Sequence, residues 1–495
     1  MLLYSRGMST YSPAQRRRIL FAAITASSMG FIDGSVISIV SPAIRTTLGA
    51  SLADVQWVSN AYLLTLSSLL LLGGAAGDRF GLRNVFAAGI VLFVAASLVS
   101  AIAPNPALLI AARAFQGLGA AFMVPGSLAI IAEAYPKEER GGAIGIWAAA
   151  SSLTTLLGPV LGGALLTWLG DASWRWVFGI NLPLGLVALA LLWGTPSPIK
   201  PDRKPLDLVG AVLAIPMLFL VSWAFIDASG WFWLYLGAGL IALLVFLWWE
   251  HRTAAPMLPL SLFADRRFSG AQAVTFLIYF SLSGVLFYLP MVMIAAWSVT
   301  PAEVSLSMLP FGIVLTMLST PAGKLTDRLG PGPVIAVGSL IVTLSLLGLG
   351  LTAPLHQVWF AIAPLMALFG IGMSGVAGPI STAVMGAVSD GETGTASAIN
   401  NAVARVAGLI AVASMGALAI FVFNQGVPIG SAEFGVAPSN DASVATDAAR
   451  IAGTDQAFAV LCYGAAVLTL AGSVLSWLLL ARTSQTQPGN KVPPG

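Results

Sequence analysis

Three charged residues lie inside long apolar stretches of this sequence, where a charge is costly: Asp33, Arg113 and Arg405. A carboxylate in apolar surroundings can bind and release a proton, and a nearby guanidinium favours its ionised form. At about 1.5 Å of helix per residue, Asp33 lies about 21 Å from one side of a roughly 30 Å apolar layer, and Arg113 lies about 9 Å from the other side. The two depths coincide, so the pair is a candidate proton-coupling site. A purely structural ion pair is the alternative interpretation.

Arg405 falls near the middle of its own apolar stretch, and several amide side chains stand in the same or other stretches. The amides are Asn60, Gln116, Asn181, Asn400 and Asn401. We predict that Arg405 and these amides line a substrate cavity. Each amide could equally form a hydrogen bond between two helices.

Other kinds of chemistry are not indicated by the residue types. The single cysteine, Cys462, excludes a disulfide within the chain, and two histidines are too few for a histidine-based metal site. Residues 370–375 match the glycine pattern of the dinucleotide-binding fingerprint, G-x-G-x-x-G. They lie inside an apolar stretch without the preceding strand that this fingerprint requires. An intramembrane enzyme is the alternative to a binding or transport function. The sequence speaks against it, because it has no nucleophile elbow and no paired aspartates within its apolar stretches. We therefore expect no enzyme activity, no metal and no cofactor.

The composition identifies the kind of protein that must position these residues. Of 495 residues, 57% are hydrophobic and 9% are charged, the formal net charge is +3 and the mean hydropathy is +0.90. A soluble domain carries about a quarter charged residues, so a water-soluble enzyme and a nucleic-acid binder are both excluded. The apolar stretches are too long for the strands of a membrane barrel, so we predict an all-α membrane protein.

Fourteen stretches are long enough to cross the bilayer as helices. They are residues 19–43, 55–77, 85–102, 107–131, 141–169, 176–194, 208–226, 231–249, 268–297, 304–323, 334–353, 358–385, 395–423 and 457–481. Of the 23 Lys and Arg residues, eighteen lie on the side of the two termini, either in the terminal segments or in the loops of that side. Three lie in the loops of the opposite side, and two lie within spans. This bias predicts that both termini are cytoplasmic. Residues 424–456 are predicted to form an irregular loop or a short hairpin on the outside.

One motif occurs twice, at residues 74–81 and 323–330, each time after an apolar helix and in a cytoplasmic loop. The two copies are 249 residues, or eight spans, apart. A plain duplication of a six-span unit would place them six spans apart. We therefore predict two six-helix bundles, residues 1–200 and 256–495, with two inserted transmembrane helices in residues 201–255. The inserted spans carry no charge or amide, so we expect them to lie outside the cavity between the bundles.

With these features the sequence resembles the fourteen-span drug:proton antiporter branch of the major facilitator superfamily. The resemblance rests on the repeated loop motif and on residues 32–36, 109–121, 158–163 and 174–185, and it covers nearly the whole chain. It implies two six-helix bundles that alternate between inward-open and outward-open states. It also implies a proton-coupled exporter of lipophilic, often cationic compounds in a prokaryotic inner membrane.

The resemblance also implies the partners: a small-molecule substrate, protons and the lipid bilayer, with no nucleic acid. We expect a monomer. Two alternatives remain open at this point, namely a transporter dedicated to a single metabolite or self-made antibiotic, and an uptake symporter.

Two motifs are candidates for the conformational change. The gating motif comprises Gly74, Asp78, Arg79, Gly81 and Arg83 in its first copy and Gly323, Asp327, Arg328 and Gly330 in its second. A carboxylate there can bind the amides at a neighbouring helix N-terminus, although interfacial charges that merely anchor a turn would look the same.

The antiporter motif comprises Gly158, Pro159, Gly162 and Gly163. The proline interrupts the backbone hydrogen bonds of its span, and the glycines permit close helix contact. We expect a functional bend, with ordinary helix packing as the alternative.

Replacing Asp78 by Asn should slow transport strongly and leave equilibrium drug binding nearly unchanged, because Asp78 lies at the membrane edge, far from the midplane. Turnover in proteoliposomes and ligand binding to the purified protein measure the two quantities separately. A variant whose binding falls as steeply as its transport would contradict the gating role.

Overall fold

The computed structural model describes residues 11–196, 206–227, 230–389, 391–428, 430–438 and 443–480. All regular secondary structure in these ranges is helical, and fourteen helical stretches in them are long and apolar enough to cross a membrane. The predicted all-α class and the predicted number of spans are confirmed.

The helices alternate in direction along the chain, and the sixth span is broken into a 3-10 turn at Asp171–Ser173 and two helices. A π-helical turn, Val358–Ile362, precedes α13. The α-helices are α1 Pro13–Leu48, α2 Leu52–Phe80, α3 Leu82–Ala101, α4 Pro106–Ala134, α5 Lys137–Leu169, α6 Trp174–Gly179, α7 Asn181–Leu192, α8 Leu208–Ile226, α9 Phe232–Arg252, α10 Arg266–Ala295, α11 Pro301–Leu329, α12 Pro331–Thr352, α13 Ala363–Gly386, α14 Thr393–Gly426 and α15 Val444–Leu475.

Several helices begin before the apolar run that predicted them, because their capping residues lie outside the run. α1 begins at Pro13, where the Ser12 side chain accepts a hydrogen bond from the Gln15 backbone and the Gln15 side chain accepts one from Ser12. Thr300 and Glu303 make the same reciprocal cap at the start of α11. Such caps satisfy the free amides of a first helical turn, whether or not that turn is apolar.

The bounds predicted for the loop at residues 424–456 were wrong at both ends. α14 continues to Gly426, and α15 begins at Val444, where the Ser443 side chain accepts from the Thr446 backbone. The first turns of α15 are polar and include an ion pair of Arg450 and Asp447 at 2.8 Å. Polar residues lower hydropathy without preventing a helix, so a hydropathy criterion placed the start of this helix too late.

The two ends of the fourteen-span array differ in what they carry. α1 begins and α15 ends on the same side, because the number of spans is even. We call this side the terminal face. The opposite side carries the segment 427–443 between α14 and α15, and we call it the loop face.

Both bundles contain the same close contact between helices, and in both it depends on glycine. A Cβ atom on Gly89 of α3 would lie 2.9 Å from the carbonyl oxygen of Gly119 in α4. A Cβ atom on Gly338 of α12 would lie 2.7 Å from the carbonyl oxygen of Gly372 in α13. Gly89 and Gly338 are 249 positions apart, which is the offset of the sequence motif. The internal repeat of the sequence is therefore also a repeat of helix packing.

The inserted helices α8 and α9 lie outside the seam between the bundles. α8 packs against α2 and α14, and its Phe219 and Trp223 rings lie 5.2 and 5.5 Å from the ring of Trp57 in α2. α9 packs chiefly on α8. This is the peripheral position that their apolar composition predicts.

The bundles contact one another near the loop face through α5 and α11. The Ala302 backbone donates to Thr167 Oγ1 at 3.0 Å, and Ser305 Oγ donates to the Pro159 carbonyl at 2.8 Å. Ala302 and Ser305 belong to the first turns of α11, whereas Pro159 and Thr167 belong to the second half of α5. These bonds close one side of the gap between the bundles.

A second set of contacts closes the other side. Gln56 Nε2 of α2 donates to the Tyr288 hydroxyl and to the Val412 carbonyl, both at 2.9 Å, and the Tyr288 hydroxyl donates to the same carbonyl at 2.6 Å. Arg45 Nη1, at the end of α1, donates to the Phe434 carbonyl at 2.7 Å. We call the contacts of this paragraph and the preceding one the loop-face seal.

Toward the terminal face the same helices separate. In α5 and α11 only 11% and 17% of the most apolar stretch is buried, whereas in α1 and α10 the fraction is 61%. Ile146 and Met317, on the terminal-face side of the seal, are 56% and 71% exposed. In the described part of the chain the hydrogen bonds between the bundles thus lie toward the loop face, whereas the terminal-face halves of α5 and α11 are largely exposed.

A cysteine at position 152 should react with a water-soluble maleimide at least tenfold faster than one at position 305. Ser152 is exposed and lies one turn from Leu156, which meets Gly312 of α11, whereas Ser305 is 1% exposed within the seal. The native Cys462 is fully buried, so Ser152→Cys and Ser305→Cys can be compared in the natural background. Equal labelling rates in the purified protein would contradict the closed loop face.

Candidate functional site

Asp33 of α1 and Arg113 of α4 form a buried ion pair, with 2.5 Å between Asp33 Oδ2 and Arg113 Nη1. Each side chain is 1% exposed. Gln116 follows Arg113 by one turn, donates to Asp33 Oδ1 at 2.9 Å and accepts from Arg113 Nη1 at 2.6 Å. Both carboxylate oxygens are thus hydrogen-bonded, and the two residues predicted at equal depth are in contact.

The Arg113 guanidinium is also held from its other sides. Its Nε donates to the Val58 carbonyl of α2 at 3.0 Å. Its central carbon lies 4.4 Å from the ring centre of Tyr62 and 5.6 Å from that of Phe178. Cation–π contacts of this kind stabilise a guanidinium that has left water. The cation is therefore fixed by α1, α2 and α6 as well as by its own helix.

Two further polar residues extend this arrangement into α3 and α7. Ser97 Oγ accepts from Gln116 Nε2 at 2.9 Å and from Asn181 Nδ2 at 3.1 Å. We call Asp33, Arg113, Gln116, Ser97 and Asn181 the buried polar cluster. Gln116 and Asn181 were predicted to line a cavity, but both are fully buried and bond within the first bundle. They match the helix–helix alternative in this conformation.

The remaining predicted cavity residues divide by exposure. Asn60 is fully buried, and neither polar atom of its side chain has a hydrogen-bond partner among the described residues. Asn400 Oδ1 accepts from Thr275 Oγ1 at 2.7 Å, which ties α14 to α10. Asn401 is exposed and Arg405 is partly exposed, so these two side chains of α14 present polar atoms to a surface.

The antiporter motif places α5 against both bundles. A Cβ atom on Gly158 would lie 2.3 Å from Ser35 Oγ, and one on Gly162 would lie 2.3 Å from Val36 Cγ2. Ser35 and Val36 follow Asp33 on α1. One residue further along α5, a Cβ atom on Gly163 would lie 2.4 Å from the Pro301 carbonyl oxygen of α11. The motif therefore joins the helix of the buried carboxylate to the loop-face seal.

Each copy of the gating motif is a helix end followed by a single glycine. Gly81 has φ 92° and is the one residue between α2 and α3, and Gly330 has φ 79° and separates α11 from α12. A positive φ favours glycine at both positions. Asp78 and Asp327 consequently lie in the last turns of α2 and α11 and are exposed.

The two copies differ in their surroundings. Arg83 Nη2 donates to the Leu192 carbonyl at 3.3 Å, which ties the start of α3 to the end of α7, and Arg79 lies 5.7 Å from the Phe80 ring centre. In the second copy Arg328 is exposed. A Cβ atom on Gly74 would meet only Pro125, at 3.9 Å, and one on Gly323 would meet nothing within 4 Å. The gating role remains a prediction.

Apart from Pro159 of the antiporter motif, the sequence did not single out the residues of the loop-face seal. Gln56 precedes Asn60 by one helical turn, and an amide in a predicted span was a usable signal. Arg45 is one of only three basic residues on the sparsely charged side, which also marked it as unusual. It bonds both the Phe434 carbonyl and Glu433 Oε2, the latter at 3.0 Å.

The described part of the chain contains no group of three or more His, Cys, Asp and Glu residues placed to bind a metal ion. One pair of such side chains lies near the loop face, where His356 Nε2 is 2.8 Å from Asp455 Oδ2. Trp297 Nε1 donates to the other oxygen of Asp455 at 2.7 Å. These three residues tie α15 to the ends of α10 and α12.

Gly163→Ala should reduce transport at least tenfold, because its methyl group would displace the Pro301 backbone and open the loop-face seal. Gly145→Ala in the same helix is the matched control, since a Cβ atom there meets nothing within 4 Å. Transport by equal amounts of each variant in proteoliposomes gives the comparison. Similar rates for both variants would mean that the α5–α11 contact does not limit the cycle.

Sequence comparison identifies the family. The model of the Major Facilitator Superfamily matches residues 22–412 and 274–491. The tetracenomycin C resistance and export protein of Streptomyces glaucescens is 30% identical over 412 residues, which cover 81% of this chain and 75% of that protein. The puromycin resistance protein of Streptomyces alboniger is 32% identical over 479 residues, which cover 93% of this chain and 90% of that protein.

Solved structures share the fold. A bacterial homolog to the human lysosomal transporter Spinster superposes with a TM-score of 0.71 at 18% identity, over 95% of this chain and 98% of that chain. Helix count, bundle packing, family match and relatives agree. The chain is a multi-pass membrane transporter that belongs to the major facilitator superfamily.

Proposed function

We propose that the protein is a proton-coupled exporter, which takes up lipophilic small molecules at the terminal face and releases them at the loop face. The observation that carries the proposal is the buried Asp33–Arg113 pair, located beside the helix that also forms the loop-face seal. The relatives support export, since their names describe antibiotic resistance and, in one case, export.

In this proposal the terminal face is cytoplasmic, because the loops and tails of that side carry eighteen of the 23 Lys and Arg residues. A gap that is open at the terminal face then corresponds to the inward-open state of an alternating-access cycle. The substrate enters between the terminal-face halves of α5 and α11. Export requires the loop-face seal to break while the terminal-face halves close.

The coupling step begins at Asp33. A neutral carboxyl group attracts the Arg113 guanidinium far less than a carboxylate does, so protonation weakens the bond that joins α1 to α4. Ser35 and Val36, just beyond Asp33, are the residues on which Gly158 and Gly162 of α5 pack. A shift of α1 therefore acts on α5, and α5 carries Pro159 and Gly163 of the seal. A proton that binds the two states unequally shifts their populations.

The energy of one proton is sufficient for useful export. A proton that crosses a potential of 100 mV contributes about 2.3 kcal/mol, which sustains a gradient of roughly fortyfold for one exchanged molecule. Neither histidine lies at mid-membrane depth, and Asp33 is the one carboxylate at that depth in the described chain. The proposal therefore assigns the proton to Asp33.

An exporter dedicated to a single compound is the second candidate. It is favoured by the relatives, because each of the two is named for one antibiotic. Susceptibility profiles of a strain with and without the gene separate the candidates. Protection against one compound supports the dedicated exporter, and protection against several unrelated compounds supports the broad one.

Asp33→Asn should abolish export driven by a pH gradient in proteoliposomes, measured with puromycin and tetracenomycin C and with a pH-sensitive dye for proton movement. Substrate counterflow without a gradient should persist, because it needs no proton. Asp265→Asn is the matched control: Asp265 is the exposed N-cap residue of α10, and asparagine also caps helices.

The single variant leaves Arg113 unpaired, which costs about 3–5 kcal/mol and can prevent folding. The double variant Asp33→Asn/Arg113→Gln removes both charges and avoids this cost. A coupling role predicts that the double variant folds but remains uncoupled. Coupled export at near the natural rate in the double variant would reduce the pair to a structural role.

A further inference from the structure

Arg405 is a charged side chain of α14 to which the mechanism above gives no role. It is partly exposed, and it forms no hydrogen bond or ion pair with any residue that the structure describes. It lies near the Tyr62 phenol of α2, in the opposite bundle. Arg405 therefore lies beside the seam of the two bundles, and no described acidic residue pairs with it.

The neighbours of Arg405 along α14 give the direction of this helix face. Ala402 packs against the core of the first bundle, and Val406 packs against the cluster that contains Trp57. Asn401, one turn before Arg405, is exposed. This face of α14 is thus turned toward the first bundle and the gap, where Asn401 and Arg405 supply adjacent hydrogen-bond donors.

The charges at this depth do not balance. Asp33 and Arg113 neutralise each other. Asp455, three turns into α15, is paired with His356 near the loop face, and the other acidic residues in the described ranges lie at helix ends or in connections. One positive charge remains, and a guanidinium does not lose its proton in a protein. An unpaired charge within the membrane is costly unless a ligand or water meets it.

From this imbalance we infer that Arg405 is the binding site for an acidic group of the substrate, a carboxylate or a phenolate. The planar guanidinium can donate two parallel hydrogen bonds to a carboxylate, and Asn401 can donate to a further oxygen. The inference rests on the proposed export function and names its substrate class. It replaces the often cationic compounds that the family resemblance implies.

An anionic cargo also changes the energetics of export. A negative charge that leaves the cytoplasm moves in the direction favoured by an inside-negative potential, by about 2.3 kcal/mol per 100 mV. Binding to Arg405 takes place within the inward-open gap, and the membrane potential then assists the outward step. Charge recognition and driving force therefore act in the same direction.

The test uses two dyes that share a xanthene ring system and differ in charge, anionic fluorescein and cationic rhodamine 123. Fluorescence anisotropy with purified protein, without any gradient, should give at least tenfold tighter binding of fluorescein. Arg405→Gln should weaken fluorescein binding at least tenfold and leave rhodamine 123 binding equal or tighter. Arg405→Lys keeps the charge and loses the planar guanidinium. Its fluorescein affinity should therefore lie between those of the natural protein and Arg405→Gln.

Arg266→Gln is the control for loss of a positive charge, since Arg266 is exposed at the start of α10. Arg405→Gln should also unfold at an equal or higher temperature, because it removes a charge without a partner; a lower unfolding temperature would indicate a structural role and overturn the inference. Absent fluorescein binding, or binding that Arg405→Gln does not change, would overturn it too. Binding needs no proton coupling, so these outcomes are separate from the fate of the Asp33 variants.

Discussion

The Asp33–Arg113 pair constrains the whole first bundle, because neither charge can remain alone in the hydrocarbon layer. Transfer of both ions out of water costs more than their mutual attraction returns unless other hydrogen bonds complete the site. Gln116, the Val58 carbonyl and the Tyr62 ring provide this completion. The pair therefore requires α1, α2 and α4 to meet at one depth.

Glycine sets how closely the helices around this pair approach. Gly158 and Gly162 bring α5 into contact with α1, and Gly163 brings the same helix onto α11 of the other bundle. A larger residue at any of these positions would separate two backbones. A single helix is thus in van der Waals contact with both the neighbourhood of the buried carboxylate and the closed end of the gap.

The sequence predicted how deep a residue lies in the membrane, but it did not predict which way each helix is turned. Hydropathy defines where each span begins, and the constant rise of a helix converts that position into depth, which is why Asp33 and Arg113 were expected to meet. A nearly uniform apolar composition does not indicate which way a helix is turned. Gln116 and Asn181 consequently proved to be buried in the first bundle, whereas Asn401 is exposed.

The backbone partners in the seal were beyond sequence reasoning for a related reason. Gln56 bonds the main-chain carbonyl of Val412, 356 positions away, and a carbonyl is present in every residue. No residue type therefore marks the partner. The caps of α1 and α11, in contrast, depend on side chains three positions apart, so they could be read locally.

The position of α8 bears on how a fat-soluble molecule reaches the gap. Molecules that dissolve in the bilayer can approach a transporter sideways, between helices, as well as from the water. On the side of α2 and α14 such a molecule meets α8 and its Trp223 ring before it meets the seam. On the side of α5 and α11 no inserted helix covers the gap within the described residues. For the proposed exporter of lipophilic compounds, lateral access from the membrane would then be one-sided, past α5.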